Sequence, residues 1–349
     1  MKTNTDKGSA GRRLAIVILN WNGARMLRQY LPSVLNCSAD EGVEVIVADN
    51  ASTDDSVVMM EQDFPRVRTI VLDANYGFAE GYNRALAQVD AQYYLLLNSD
   101  VEIHQMQWIR PLLDYMDAHE DVAACQPKLL SLRDPGHFEY AGACGGFIDK
   151  HGYPFCRGRL LDRVERDHGQ YDGVADVLWA TGAALLIRAQ DWRESGGLDG
   201  RFFAHMEEID LCWRLRTRGR RVVCIPQSTA YHLGGATLNQ GNPHKTFLNH
   251  RNNLLMLYKN LPEDELHRTL RARWWLDRLT ALQYLLRGDV VNAKAVMAGR
   301  KAFRQMRPSY EAVRRENLQR MLDAHPQGRM PYSLLWRYYV MGQKTYSSL

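Results

Sequence analysis

The stretch that decides the fold is Tyr93-Tyr94-Leu95-Leu96-Leu97-Asn98-Ser99-Asp100, an apolar run that ends in an amide, a hydroxyl and a carboxylate. A run without polar alternation predicts a strand that is covered on both faces. Polar groups at the carboxyl end of such a strand lie where open α/β sheets bind ligands, and Asp100 could there hold a divalent cation. The same residues also suit a turn and a helix N-cap, so this stretch alone leaves both interpretations open.

The first third of the chain repeats this arrangement. Apolar runs at 14–19, 43–48, 67–72 and 92–97 alternate with segments of helical spacing at 23–35, 54–62, 79–88 and 105–117. This alternation is typical of βα units and a mainly parallel sheet. Each run ends in polar residues, which are Asn20-Trp21-Asn22-Gly23, Asp49 to Asp54, Asp73 to Gly77 and Asn98 to Asp100. Because parallel strands share one carboxyl edge, we expect these groups to form one ligand crevice.

The rest of the chain has a different character. Residues 128–175 are rich in Gly, Asp and aromatic residues and predict short strands and a mobile loop. Strands near 174–179, 183–187 and 221–225 and a helix near 206–218 are expected next, with helices from Pro262 to the end. The expected organisation is a flexible N-terminus at 1–12, an α/β domain at 13–260 with halves at 13–127 and 128–260, and a basic helical region at 261–349.

Composition indicates a globular chain of the cytoplasm. Of the 349 residues, 46% are apolar and 24% are charged. The six cysteines include no C-x-x-C pair, so we expect free thiols rather than a zinc site or a disulfide framework. No run reaches the roughly 18 apolar residues that cross a bilayer, and Leu14–Leu19 is too short for a signal peptide.

Positive charge is concentrated in the last region. Residues 261–349 contain sixteen Lys/Arg and eight Asp/Glu, whereas the whole chain has a net charge of +4. Within this region Trp275, Leu279, Leu282 and Leu286 repeat at helical spacing, flanked by Arg271, Arg273, Arg278 and Arg287. A basic amphipathic helix of this kind could bind an anionic membrane surface. Packing of the stripe on the main domain is the commoner outcome for such a helix. Nucleic acid is a less favoured partner. The sequence leaves the oligomeric state open.

Three acids open the helix expected near 206–218. By helical spacing Glu208 shares a stripe with apolar residues, whereas Glu207 lies on the side of Asp210 and Arg214. A carboxylate held against apolar neighbours has a raised pKa, which suits a general base. We therefore predict Glu208 as the base and assign Glu207 and Asp210 to support, although acids in a first helical turn can also serve the helix dipole alone.

Two later residues are candidates for ligand contacts. His232 follows a strand and precedes a Gly-rich loop, so its imidazole could join Asp100 in an oxygen-rich metal site. A lone histidine is more often only a hydrogen-bonding neighbour. Arg251 lies at the start of a helix and could be set against phosphate charge.

These motifs together resemble the inverting family 2 glycosyltransferases of the GT-A fold, most closely the bacterial rhamnosyltransferase-like members. The resemblance runs from about residue 13 to 260 and rests on motifs in the family's order. They are Asn20-Trp21-Asn22-Gly23, then D-N-x-S-x-D at Asp49 to Asp54, then N-x-G-F-A-x-G-x-N at Asn75 to Asn83, and then Glu207 to Arg214.

The resemblance implies roles for particular residues. Asn20, Trp21, Asn22, Asp49 and Asn50 would surround the base and ribose of a nucleotide sugar. The donor pocket would be bordered by Asn75, Gly77, Gly81 and Asn83. Asp100 would be the last position of the D-x-D metal motif, in which Asn98 replaces the first acid, and His232 would be the late metal ligand for Mg²⁺ or Mn²⁺. The usual position of the base falls on Glu208.

The resemblance also implies a reaction and its partners. The protein would transfer a sugar from dTDP-rhamnose or a UDP-sugar to a saccharide hydroxyl in cell-surface polysaccharide assembly. The acceptor would enter beside Trp179, Thr181 and Gly182, where an apolar platform could hold a sugar ring. A polyprenyl-diphosphate-linked acceptor would bring the protein to the inner face of the plasma membrane, in keeping with the basic C-terminal region.

Other functions fit the sequence less well. A sugar nucleotidyltransferase would need a Gly-rich basic loop after the first strand, where Asn20-Trp21-Asn22-Gly23 stands. An NAD-dependent oxidoreductase would need G-x-G-x-x-G after a strand, and a P-loop is also absent. A nucleotide-sugar-binding protein without enzymatic activity remains as the alternative from another class.

Overall fold

A computed structural model describes residues 13–234 and 241–349, so the predicted flexible N-terminus at 1–12 lies outside the described residues. The strands are β1 Leu14–Asn20, β2 Val43–Asp49, β3 Arg68–Val71, β4 Tyr93–Asn98, β5 Val101–Glu102, β6 Val122–Ser131, β7 Gly146–Ile148, β8 Pro154–Cys156, β9 Arg159–Leu160, β10 Arg163–Val164, β11 Ala175–Asp176, β12 Ala184–Arg188 and β13 Arg221–His232. The helices are α1 Ala24–Cys37, α2 Ser56–Asp63, α3 Gly77–Leu86, α4 Arg110–Ala118, α5 Ala189–Ser195, α6 Glu207–Thr217, α7 Pro243–Asn260, α8 Glu263–Leu286, α9 Val290–Met306, α10 Glu311–Gln319 and α11 Leu334–Tyr339.

The main sheet is mostly parallel and is flanked by helices, as predicted. Within the described residues its order is β11-β13-β6-β12-β4-β1-β2-β3, with β5 paired to β13. Strands β4, β1, β2 and β3 are parallel, whereas β12 runs antiparallel between β4 and β6. The apolar residues of β4 are all at most 2% exposed, which confirms a strand covered on both faces. The carboxyl ends of β1, β2 and β4 therefore lie at one edge.

The two expected halves of the α/β domain share this sheet. Strand β6 crosses the expected boundary between residues 127 and 128 and pairs with β12 and β13. The short strands expected in the segment 128–175 are present and form a small sheet of order β10-β9-β8-β7, whereas the segment was also expected to contain a mobile loop and instead has many buried apolar side chains. Gly146 is required there, because a Cβ atom would lie only 1.9 Å from the ring of Trp179. The close packing of this segment gives no support to the mobile loop that the sequence predicted.

The C-terminal region packs against the rest of the chain. Leu266, Phe303, Tyr310 and Leu334 belong to the same buried cluster as the apolar residues of the main sheet. The expected helical character is interrupted between α10 and α11, because the backbone of that segment bonds to Thr217 and to β7. None of the helices in residues 13–234 and 241–349 is long and apolar enough to span a bilayer. The six cysteines, all within the described part, are buried free thiols.

Candidate active site

Side-chain hydrogen bonds join the polar ends of β1 and β2. Asn20 is 1% exposed, and its Nδ2 donates to Asp49 Oδ1 (3.0 Å) and Ser52 Oγ (3.2 Å). The other oxygen of Asp49 accepts from the backbone N–H of Ser52 (2.8 Å), and the Asn22 side chain accepts from the backbone of the loop after β2. These bonds fix the ends of β1 and β2 beside Trp21, whose side chain is 46% exposed. An exposed aromatic ring at this edge can stack on a nucleotide base.

Asn50 connects the end of β2 to the beginning of α3. Its Oδ1 accepts from the backbone N–H of Tyr76 (3.0 Å), and its Nδ2 donates to the Gly77 carbonyl (2.9 Å) and to Asn75 Oδ1 (3.2 Å). Gly81 lies against the same amide, because a Cβ atom there would be 3.1 Å from Asn50 Nδ2. The structure thus brings together Asn50, Asn75, Gly77 and Gly81.

Asn83 has a different environment. Its Oδ1 accepts from the backbone N–H of Leu198 (3.0 Å), and its Nδ2 donates to the carbonyl of the same residue (2.8 Å). The amide therefore ties α3 to the loop after α5. These bonds give Asn83 a structural role, and its predicted place at the donor pocket gains no support from them.

Asp100 and His232 meet where β4 ends. His232 Nε2 lies 3.0 Å from Asp100 Oδ1 and 3.3 Å from Asn98 Nδ2. The two residues are far apart in sequence but come together because β5 pairs with β13, with Val101 opposite His232. On the other side of the imidazole, Glu139 Oε1 lies 3.2 Å from Nδ1. Asp100, Glu139 and His232 are all at most 5% exposed.

Electrostatics link these three groups. Burial lowers the pKa of His232, but Asp100 and Glu139 outweigh this effect and raise that pKa to about 10. Burial also raises the pKa of Asp100, and the charge of His232 reverses the shift so that the net pKa is below its usual value. The two shifts favour a protonated His232 beside an ionised Asp100, so a cation that binds His232 Nε2 has to displace that proton.

Asp100 and His232 have the donor atoms of a divalent-cation site but supply only part of one. Among residues 13–234 and 241–349, no three His, Cys, Asp or Glu side chains form a cluster that could hold a metal ion. A carboxylate oxygen and an imidazole nitrogen suit Mg²⁺ or Mn²⁺, and Asn98 can contribute only an amide. Other ligands would have to come from substrate oxygens and water.

The loop before α6 has a strained backbone. Phe203, His205 and Met206 have positive φ angles of 66°, 72° and 73°. Such conformations persist where surrounding contacts over-determine them. Asn252 provides these contacts, because its buried Nδ2 donates to the carbonyl oxygens of Phe202 (3.0 Å), Ala204 (2.9 Å) and His205 (2.8 Å). The loop delivers the first residues of α6 to the site.

Arg251 holds the same loop. Its Nη2 donates to the carbonyl oxygens of Arg201 (3.1 Å) and Phe202 (2.9 Å), and its Nε donates to Asn252 (2.8 Å). Arg251 was predicted to face a phosphate group. In the structure its guanidinium instead donates hydrogen bonds to the loop before α6.

The three acids of α6 differ in their partners. Asp210 accepts from Arg214 Nε (3.0 Å), Lys259 Nζ (2.7 Å) and Asn260 Nδ2 (2.8 Å), which marks it as a structural carboxylate. Glu207 and Glu208 each have a buried Oε2 without a hydrogen-bond partner among the described residues. An unpartnered carboxylate oxygen in a buried setting is available to a substrate proton.

Glu208 does not lie alone on the core side of α6, so the prediction from helical spacing is wrong. Helix α6 is buried around its circumference, and Glu207 is 4% exposed whereas Glu208 is half-buried. The expected direction of the pKa shift is nevertheless present, since burial raises the pKa of Glu208 to about 7. Burial and the neighbouring charge of Glu208 raise the pKa of Glu207 well above its usual value.

Glu208 lies near the end of β4. A Cβ atom on Gly182 would be 3.8 Å from Glu208 Cβ and 3.1 Å from the ring of Phe78. The adjacent Ala183 accepts a hydrogen bond from the backbone N–H of Asn98 (3.0 Å). Glu208 is therefore connected to the Asp100 side of the crevice through the beginning of β12 and the end of β4.

The structure corrects the predicted acceptor platform. Trp179 is 2% exposed, its ring covers Gly146, and its Nε1 donates to the Phe147 carbonyl (3.0 Å). Thr181 is also 2% exposed and bonds to Gln126. Both belong to the core, because the small sheet folds over them. Of the three predicted residues, Gly182 is the one that lies beside Glu208.

Two residues of this site were missed by the sequence analysis. Glu139 lies in a segment without a recognisable motif, so only its contact with His232 identifies it. Asn252 lies next to Arg251 in an Asn-rich stretch at 249–253, which was a signal that could have drawn attention to the amide.

Comparisons with known proteins show which family and which relatives the chain is similar to. The sequence profile described as Glycosyl transferase family 2 matches residues 15–151. N-acetylglucosaminyl-diphospho-decaprenol L-rhamnosyltransferase of Mycobacterium tuberculosis is 26% identical over 316 residues, which are 84% of this chain and 95% of the relative. Rhamnosyltransferase WbbL of Escherichia coli K12 is 27% identical over 55% of this chain and 74% of its own length.

Solved structures share the fold. GalNAc-T7, crystallised with UDP, GalNAc and Mn²⁺, has a TM-score of 0.55 at 14% identity, covering 73% of this chain and 49% of the GalNAc-T7 chain. The mannosyltransferase PcManGT of Pyrobaculum calidifontis, with GDP-Man and Mn²⁺, has a TM-score of 0.51 at 12% identity, covering 90% and 85%. The sheet is thus that of the GT-A fold. Fold, ordered motifs and relatives lead to one conclusion, that this chain is a glycosyltransferase of the GT-A fold, similar to glycosyltransferase family 2 over residues 15–151 and to rhamnosyltransferases.

Proposed function

We propose that the protein transfers a sugar from a nucleoside diphosphate sugar to a saccharide hydroxyl and inverts the configuration of the anomeric carbon. The observation that carries this proposal is the shared edge at which β4 presents Asp100 and Gly182 adjoins Glu208. One side of the edge suits a diphosphate, and the other holds an unpartnered carboxylate with a raised pKa. The names of the relatives favour dTDP-rhamnose as donor, with a UDP-sugar second.

The reaction is one displacement. Glu208 takes the proton of the acceptor hydroxyl while that oxygen forms a bond to the anomeric carbon. The bond between that carbon and the diphosphate oxygen breaks on the opposite face, so the configuration inverts. Trp21 would stack on the base of the donor, and the Asn20–Asp49 and Asn50–Asn75 pairs would border the nucleotide. Glu207, beside the base, would keep the surroundings of Glu208 poorly solvated.

Asp100 and His232 would bind a divalent cation, Mg²⁺ or Mn²⁺, together with the diphosphate. Such a cation supplies charge stabilisation to the departing diphosphate. Two fold neighbours contain Mn²⁺ with nucleotide ligands, which supports a metal of this class. Because this chain provides few ligands of its own, we expect metal affinity to be low until the nucleotide sugar is present.

The acceptor is proposed to be a saccharide on a polyprenyl diphosphate. The Mycobacterium tuberculosis relative is named for such a substrate, and that relative aligns along nearly its whole length. The reaction would then take place at the cytoplasmic face of the membrane, in cell-surface polysaccharide assembly.

Two measurements test the proposal. Thermal-shift assays with dTDP-rhamnose, UDP-sugars and GDP-sugars, each with and without Mn²⁺, should show stabilisation by one donor class that is larger with the metal. A transfer assay should then show that Glu208→Gln retains donor binding but loses roughly 10²- to 10⁴-fold in turnover. The matched control is Glu61→Gln, at an exposed position on α2.

Two results would contradict the proposal. Near wild-type turnover in Glu208→Gln would place the base elsewhere. Pyrophosphate release from a nucleoside triphosphate and a sugar phosphate, without sugar transfer, would instead indicate a nucleotidyltransferase.

A further inference from the structure

Helix α8 is oriented with its apolar side toward solvent. Its buried side carries charged residues, since Arg273 is 2% and Asp277 is 0% exposed. Its outer side carries Trp275 (61% exposed), Leu279 (59%), Leu282 (49%) and Leu286 (80%). Packing of this stripe on the main domain was the commoner outcome expected from the sequence. In the structure the stripe instead faces solvent.

The buried charges fix this orientation. Arg273 donates to Asp277 Oδ1 (3.0 Å) and to the carbonyl of His151 (3.1 Å). Asp277 is also paired with Arg300 of α9 and lies 3.5 Å from His250 of α7. A rotation that buried the apolar stripe would expose or separate these ion pairs, and unpaired buried charges are strongly unfavourable. The apolar side therefore has to remain outside.

The apolar surface continues past the end of α8. The turn at Gly288 leads into α9, whose first residues Val290 and Val291 are 46% and 61% exposed. We call the six residues Trp275, Leu279, Leu282, Leu286, Val290 and Val291 the docking face. It includes the turn of the α8–α9 hairpin, where apolar side chains project furthest.

The charges around the docking face are mainly positive. Residues 266–306 contain nine Lys/Arg and two Asp, and the three acids of α8 at 263–265 lie in its first turn, at least ten residues before Trp275. Asp277 is buried in the ion cluster, and Asp289 accepts from the backbone N–H of Asn292 (2.9 Å) as the N-cap of α9. Exposed cations on the same hairpin include Arg271, Arg287 and Lys294. The surroundings of the docking face are therefore cationic.

A cavity of about 620 Å³ lies beside the first half of α8. Its lining includes Lys150, Arg268 and Arg329 together with Glu265, which is paired with Arg329. Arg268 precedes Trp275 by seven residues, so this lining side chain lies on the helical stripe of the docking face. The cations of the cavity thus outnumber its acid, and Arg268 connects it to the docking face.

We propose that the docking face binds the surface of an anionic lipid bilayer. Tryptophan and leucine side chains would enter the interfacial region while the flanking Arg and Lys side chains contact lipid phosphates. A second copy of the chain fits less well, because a symmetric contact would bring the same cations together. Nucleic acid would satisfy the cations but leave the leucine and valine side chains in water.

This proposal deepens the proposed function, because a lipid-linked acceptor is available only at a membrane. Binding to vesicles that contain neither donor nor acceptor does not depend on catalysis. Failure of vesicle binding and failure of sugar transfer are therefore distinguishable.

The test is sedimentation of the full chain with vesicles of phosphatidylcholine alone or mixed in equal parts with phosphatidylglycerol. We expect binding to the mixed vesicles that weakens with added salt. The double variant Trp275→Ser/Leu286→Ser should bind at least about tenfold more weakly, since each large apolar side chain contributes about tenfold or more to transfer out of water. The control is Leu322→Ser, at a position that is 81% exposed and outside the docking face.

The proposal is overturned if the wild-type chain does not bind mixed vesicles at low salt, or if the double variant binds as the wild type does. It is equally overturned if sedimentation equilibrium shows a dimer that the double variant abolishes and vesicles are not bound. Binding of RNA or DNA without binding of vesicles would also overturn the proposal. Transfer to a water-soluble acceptor should be the same in the double variant and the wild type.

Discussion

Glu139 Oε1 lies 3.2 Å from Nδ1 of His232, on the side of the imidazole opposite to Asp100. Histidines that bind metals usually direct their other ring nitrogen toward a carboxylate or a carbonyl, which fixes the ring and its tautomer. Glu139 lies at ion-pair distance from His232 Nδ1, although that nitrogen has no hydrogen-bond partner among the described residues and 93 residues separate the two in the sequence. We propose that Glu139 positions His232 through this ion pair.

The variant Glu139→Gln should weaken metal-dependent donor binding. The amide keeps the size of the side chain but lacks the charge that orients His232, and losses at such positions are roughly 10- to 100-fold. Titration calorimetry with dTDP-rhamnose in the presence of Mn²⁺ measures the effect, and binding without metal should change little. The control is Glu61→Gln, at an exposed position on α2. Equal losses with and without metal would contradict a positioning role.

The pH dependence of transfer should follow Glu208. Burial raises its pKa to about 7, and only the ionised carboxylate can accept the acceptor's proton. We expect kcat/KM to rise about tenfold per pH unit below pH 7 and to level off above it. Initial rates from pH 5 to 9 check this expectation. A flat profile across this range would mean that another group limits the reaction.

Glu207→Gln should stabilise the protein at high pH. The pKa of Glu207 is raised well above 4.5 by burial and by Glu208, so the folded state holds its proton more tightly than the unfolded chain does. Stability is therefore lost as pH rises from about 4.5 toward the folded pKa, by about 1.4 kcal/mol for each pH unit in that interval. Glutamine avoids this loss.

Thermal unfolding of Glu207→Gln and wild type at pH 5 and pH 8 tests this relation. The difference in melting temperature should be larger at pH 8, and Glu61→Gln should show no such trend. A gain of the same size at both pH values would be inconsistent with ionisation as its cause.

Asn252→Asp should disrupt the loop before α6. The substitution places a carboxylate oxygen against the carbonyl oxygens of Phe202, Ala204 and His205, where the amide now donates. Loss of these bonds, at about 1–3 kcal/mol for each group left unsatisfied, should displace Glu208. We expect turnover to fall sharply while nucleotide-sugar affinity stays within a few-fold, as kcat and KM measured separately will show. Gln319→Glu, an exposed amide-to-acid change on α10, is the control.

The donor side of the sheet could be predicted from the sequence because each strand carries its own information. The apolar run of β4 and its polar end at Asp100 are adjacent in the chain, and parallel strands with such ends must share an edge. Glu139 and Asn252 could not be predicted in this way. Their roles depend on contacts with His232 and with residues 202–205, which only the folded chain brings close.

Burial was harder to predict than secondary structure. Trp179 and Trp275 are both tryptophans in amphipathic or apolar surroundings, yet one is 2% exposed and the other 61%. Trp179 is covered by a small sheet whose strands are too short to be recognised reliably. Trp275 is exposed because Asp277, which is paired with Arg273 on the same helix, also has a buried ionic partner in Arg300 of α9. Neither the burial of Trp179 nor the exposure of Trp275 can be predicted from hydropathy alone.

The reversed direction of β12 has a consequence for how relatives of this chain can diverge. Because β12 runs against β4, its beginning lies at the edge where the parallel strands end. Gly182, at the entry to β12, therefore lies beside Glu208 without belonging to the strands that border the nucleotide. We expect substitution at Gly182 between related chains to alter the choice of acceptor while the choice of donor is inherited unchanged.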